Sequence, residues 1–87
     1  MNITFYGATW CPDCRRSKEY LDTHNIPYDY IDLETVPEAA DEVVRINHGL
    51  QSIPTIVFPD GTVLVEPTNA ALENAVTANK DTLSHYV

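Results

Sequence analysis

Short apolar runs alternate with amphipathic stretches along this chain. Ile3-Thr4-Phe5-Tyr6 reads as a strand, and Gly7-Ala8-Thr9 as a turn. A helix is predicted from Pro12 to His24, with Cys14, Leu21 and the stem of Lys18 near one stripe. Pro12 suits the first helical position, where its missing N–H is an orphan anyway. Asn25-Ile26-Pro27 breaks the helix, and Tyr28–Leu33 alternates with a period of two, as a strand does. Thr35-Val36-Pro37-Glu38 has the form of a capping box, Thr with Glu three later. It opens a second helix whose stripe is Val36, Ala40, Val43 and Val44, and Asn47-His48-Gly49 ends it, with Gly49 suited to positive φ. Pro54–Phe58 is a third strand, Pro59-Asp60-Gly61-Thr62 a turn and Val63-Leu64-Val65 a fourth strand, so the last two form a hairpin. Pro67-Thr68-Asn69 opens a third helix with Leu72, Ala75 and Val76 facing inward. Lys80–Val87 has no clear period and reads as a frayed helix end or a loose tail.

The predicted order is therefore β-α-β-α-β-β-α. Its first three elements form a βαβ unit, so strands one and two should be parallel with a right-handed crossover. The hairpin completes a four-stranded mixed sheet with helices on both faces, an α/β architecture.

At 87 residues the chain makes one domain, residues 1–87, with a modest core. A net charge of −8 argues against nucleic acid and anionic membranes as partners. Neither a signal-peptide pattern nor a transmembrane run is visible, so the expected location is the cytoplasm. A reducing cytosol disfavours structural disulfides, and a bridge between residues three apart would staple very little. Chemistry is the better explanation for the two cysteines, which both lie in Trp10-Cys11-Pro12-Asp13-Cys14.

Cys11 falls between the end of a strand and the start of a helix. The free N–H groups and positive dipole end of that helix favour a thiolate. A thiolate is the nucleophile of disulfide exchange, and Cys14, one turn on, is placed to resolve the mixed disulfide. This is the signature of a thiol-disulfide oxidoreductase. Arg15, Arg16 and Lys18 are three of the five cations, and all follow the cysteines. Arg15 and Lys18 share the helix face of Cys11. They are either a solvated stripe or a source of positive potential at the sulfur, with Asp13 opposing them if its carboxylate faces it. A metal site is a further reading, with Cys11, Cys14 and two of His24, His48 and His85 as ligands. No histidine pair has zinc-finger spacing, and His24 and His48 fall at helix ends where they are favourable anyway. The expectation is no bound metal.

Cys-x-x-Cys after strand one, with this element order, resembles the thioredoxin fold in its glutaredoxin form. The Ser52-Ile53-Pro54-Thr55 stretch supports the resemblance, because the family carries a Val/Ile-Pro pair with a cis proline just before strand three. The likeness runs from Ile3 to about Ala78. It implies that Cys11 attacks and Cys14 resolves, that the Ser52–Ile53 backbone meets substrate, and that Pro54 shields Cys11. It also implies that exposed Trp10, with Pro12, Asp13, Arg15 and Thr55, borders the bound substrate, and that Thr68 and Asn69 offer a helix N-terminus to an anion.

Three departures stand out. Glutathione-using glutaredoxins carry Lys where this chain has Ala8, and Tyr where it has Asp13. They carry a Gly-Gly-x-Asp clamp where it has Val65-Glu66-Pro67-Thr68. Asp60-Gly61-Thr62, the x-Pro after strand four and Val43-x-x-Ile46-Asn47-His48-Gly49 look more like mycoredoxins, which use mycothiol. The resemblance thus implies a monomeric enzyme without a bound cofactor. Its co-substrate is a low-molecular-weight thiol, mycothiol before glutathione, and its substrates are protein mixed disulfides or protein disulfides. Trp-Cys-Pro-Asp-Cys also occurs in thioredoxin-related proteins, so electrons from thioredoxin reductase are the alternative, and an Fe-S cluster bridged between two subunits, as in some glutaredoxins, is a minor one.

Overall fold

The computed structural model describes residues 2–83. Its elements are β1 (Ile3–Gly7), α1 (Pro12–Thr23), β2 (Tyr28–Asp32), α2 (Ala39–Ile46), β3 (Thr55–Val57), β4 (Val63–Val65) and α3 (Asn69–Ala78). The order is the one the sequence predicts. The sheet runs β2-β1-β3-β4, with β1 parallel to β2 and the other pairs antiparallel.

Alternation along β1 divides the core in two. Ile3 and Phe5 point to one face, where they pack with Leu21 and Ile26 and with Leu72, Ala75 and Val76 of α3. Tyr6 points to the other, against Ala39 and Val43 of α2. The helices therefore cover both faces, α1 and α3 on one and α2 on the other. Burial of these apolar side chains is the main stabilising term, about 1.5–3 kcal/mol for each large one.

Several boundaries depart from the sequence reading. β1 continues through Gly7, which was expected in a turn, because Gly7 pairs with Asp32 of β2. β2 ends at Asp32 rather than Leu33. The capping box at Thr35 does not form. Asp32 takes over this stretch instead: its Oδ1 accepts the Glu34 N–H at 2.8 Å, and its carbonyl accepts those of Thr35 and Val36. Val36-Pro37-Glu38 then curls in tight turns, and α2 starts only at Ala39 with no side-chain cap. At the far end of α2 the left-handed turn begins at His48 (φ 55°), one residue before Gly49.

The expected tail is the other correction. Leu83 is fully buried in the larger core cluster, and its N–H bonds to the Asn79 carbonyl at 2.9 Å. A single apolar side chain has no period to detect, yet it folds residues 80–83 back onto the domain. The remainder of that predicted tail lies outside the described residues. Asn79, also buried, ties the end of α3 to the hairpin by accepting the Asp60 N–H at 3.0 Å.

Candidate active site

The two sulfurs are held by the junction of β1 and α1. Cys11 is the N-cap of α1, in extended backbone (φ −81°, ψ 117°), with Pro12 opening the helix. Its Sγ accepts the Cys14 N–H at 3.2 Å, one of the orphan donors of the helix start. Both cysteines are free thiols, and both are buried. Burial pushes the Cys14 thiol up to about 12, with the hydrogen bond to Cys11 acting in the same direction. Cys14 thus stays protonated at neutral pH, while Cys11 sits at the helix N-cap with the Cys14 N–H on its sulfur.

A rate consequence can be measured. Attack by Cys14 on a mixed disulfide at Cys11 needs the Cys14 thiolate, which is scarce well below a pKa of about 12. Release of the small thiol from a preformed Cys11 mixed disulfide is therefore expected to accelerate as the pH rises from about 7 to 10, because burial holds the Cys14 thiol up. Stopped-flow release over that range checks it, and a flat profile contradicts it.

Three recesses are lined by residues of, or next to, the Trp10–Cys14 stretch. A groove of about 420 Å³ is lined by Ala8, Trp10, Leu33, Glu34, Gln51 and Ile53. Trp10 is 62 % exposed, an unusual position for an indole. A second hollow brings Asp13, Thr68 and Asn69 together with Arg16, Glu66 and Pro67. Its only cation is already engaged: Arg16 donates to Asn69 Oδ1 at 2.7 Å and to the Pro67 carbonyl, and lies 3.7 Å from Asp13. Asp13 thus faces Arg16. Thr68 Oγ1 caps α3 by accepting the Ala71 N–H at 3.1 Å. Arg15 lies elsewhere, in a small cleft with Thr9, Cys14, Lys18 and Tyr30.

Pro54 is fully buried and its bond to Ile53 is cis. Ser52 lines a separate hollow with Ile46, His48, Leu50 and Val63. Thr55 is buried, its hydroxyl donating to the Ser52 carbonyl at 2.6 Å and accepting from Asn47 Nδ2 at 2.9 Å. Its side chain shapes the Ser52–Pro54 turn from beneath. Thr55→Val removes both hydrogen bonds and is expected to cost about 1–3 kcal/mol, read by urea unfolding.

Leu33, Glu34 and Gln51 escaped the sequence reading. A signal existed for the first two. In open α/β sheets ligands gather beyond the carboxyl ends of the strands, and Leu33-Glu34 follows β2 where it runs parallel to β1.

With this geometry in place, comparison with known proteins is decisive. The glutaredoxin family profile matches residues 3–64. The chain belongs to the glutaredoxin family. It is a glutaredoxin-like thiol-disulfide oxidoreductase with similarity to mycoredoxins. Mycoredoxin 1 of Corynebacterium glutamicum is 38% identical over 69 residues, 79% of this chain and 85% of that protein. A Mycobacterium tuberculosis protein named as a glutaredoxin is 38% identical over 66 residues, 76% of this chain and 79% of the other. The crystal structure of glutaredoxin from Archaeoglobus fulgidus superposes with a TM-score of 0.75, covering 86% of this chain and 85% of that one. Its 22% identity makes it a likeness of fold. Glutaredoxins act with a small thiol as co-substrate, which fits a site whose reacting groups are the two sulfurs.

Among the described residues no three His, Cys, Asp or Glu side chains converge as a metal site, and His85 lies outside them. No described helix is long and apolar enough to cross a membrane.

Proposed function

We propose that this glutaredoxin reduces mixed disulfides between cytoplasmic proteins and a low-molecular-weight thiol, as a monomer, with mycothiol favoured over glutathione. The asymmetry of the sulfurs carries the reading: Cys11 at the helix N-cap, Cys14 buried and protonated one turn on. The Cys11 thiolate attacks one sulfur of the mixed disulfide, the S–S bond breaks, and the other partner leaves as a thiolate. A second small thiol then attacks the new disulfide and regenerates Cys11. Alternatively Cys14 loses its proton, closes the Cys11–Cys14 disulfide and releases the bound thiol. Two electrons from the donor restore the dithiol.

The preference for mycothiol rests on charge. Glutathione carries carboxylates at both ends, and mycothiol has a largely uncharged sugar body. Neither of the recesses on the Trp10 and α3 sides has a free cation. Ala8 and Glu34 line one, and in the other Arg16 is engaged while Glu66 adds a negative charge. Thr68 and Asn69 remain candidate contacts, as do Trp10 and Pro12 beside Cys11 in the chain and Ile53 in the Trp10 groove.

The test runs the oxidised protein with mycothiol or glutathione plus the matching disulfide reductase, and separately with NADPH and thioredoxin reductase. Turnover is expected with the small thiols, mycothiol ahead of glutathione. Turnover through thioredoxin reductase alone would make this a dithiol reductase of protein disulfides instead.

A further inference from the structure

The groove beside Trp10 combines apolar walls with a single acidic residue. Its walls are apolar: the exposed indole of Trp10 with Ala8, Leu33 and Ile53. Gln51 and one charged residue, Glu34, also line it. Glu34 is exposed, and among the described residues its carboxylate has no hydrogen bond or ion pair; only its backbone N–H is engaged, by Asp32. No cation lines the groove. Arg15 and Lys18 border the cleft at Cys14 and Tyr30, and Arg16 is held across α1 by Asp13 and Asn69. An apolar trough with an aromatic face and one unpaired carboxylate is complementary to a long aliphatic stem ending in a positive charge. Lysine and arginine have that form, burying their stems while the head stays at the rim. A cation over an indole face adds attraction of its own.

We propose that this groove takes a lysine or arginine side chain of the protein substrate, next to the cysteine in disulfide linkage, with Trp10 and Glu34 as its specificity-determining residues. The inference rests on the proposed function, because Cys11 must exchange with a protein disulfide for the flanking residue to arrive. Glu34 selects which protein is held while the sulfurs react.

The test uses the full chain with Cys14→Ser, which stops at the Cys11 mixed disulfide. Capped peptides with Lys, Gln or Glu on both sides of one cysteine are supplied as disulfides with 2-mercaptoethanol, a neutral leaving group. The Cys11 thiolate displaces 2-mercaptoethanol and forms the peptide adduct. Pairs of peptides compete at low salt, and the adduct ratio at equilibrium is read by mass spectrometry. The expected Lys-to-Glu ratio is about tenfold, an exposed ion pair and a cation–π contact together. Adding Glu34→Gln is expected to bring it within about twofold. A ratio near one in the parent, or a preference that survives Glu34→Gln and so reflects net charge, overturns the inference and leaves the exchange chemistry standing. Failure of every peptide to form an adduct overturns the exchange reading, and this inference with it.

Discussion

Cys11→Ser is expected to reduce thiol-disulfide exchange to the uncatalysed background, while Cys14→Ser keeps reduction of small-thiol mixed disulfides. The first loses the nucleophile: a serine hydroxyl at the same N-cap accepts the same N–H but does not ionise near neutral pH and forms no disulfide. The second loses only the internal route of resolution through Cys14. A second small thiol replaces it. The two variants therefore separate by assay. With a protein mixed disulfide and excess small thiol, Cys14→Ser turns over and Cys11→Ser does not. With an intramolecular protein disulfide, neither does. Complete loss in the Cys14 variant alone would reverse the assignment of the two sulfurs.

Gly7→Val is expected to impair reduction of protein disulfides in particular. A Cβ at Gly7 would lie 3.0 Å from Phe5 Cε1 and 3.1 Å from Cys14 Sγ, so a side chain there must displace the resolving sulfur or the central core ring. Overpacking of this kind costs about 1–3 kcal/mol. Reduction of protein disulfides, which needs Cys14 in place, is expected to fall more than small-thiol mixed-disulfide reduction, which needs only Cys11. The ratio of the two rates, with urea unfolding alongside, checks this; equal losses would place the damage in the fold as a whole.

Gly7 also marks a limit of what the sequence shows. It reads as part of a Gly7-Ala8-Thr9 turn, and only pairing with Asp32 turns it into the end of a strand packed on Cys14. The order of elements was legible because each carries its own period: Phe5 between Thr4 and Tyr6, Leu21 and Cys14 on one helical stripe, Val63-Leu64-Val65 after a Gly turn. The Thr35 capping box failed because a competing acceptor, Asp32, lies three residues upstream and reaches the same backbone first. At the site, the paired cysteines and Ile53-Pro54 were legible as local motifs. The partners of their neighbours were not. Arg16 finds Asn69 across 53 residues, and Glu34 and Trp10 line one groove, juxtapositions fixed by packing rather than by spacing.

The borders of the sheet bear on how the protein behaves when crowded. Its outer strands are β2 and β4, and an unpaired strand edge invites other chains to add to it. β2 carries Asp29 and Asp32, so like charges would meet in any copy laid alongside. β4 is three residues long and stops where Glu66 turns left-handed (φ 48°) before Pro67, which has no N–H to offer. Neither border presents a long neutral ladder, and that guards against aggregation in spite of the exposed Val63 and Val65. Charge-neutralising changes at Asp29 and Asp32 would be the first to lower solubility.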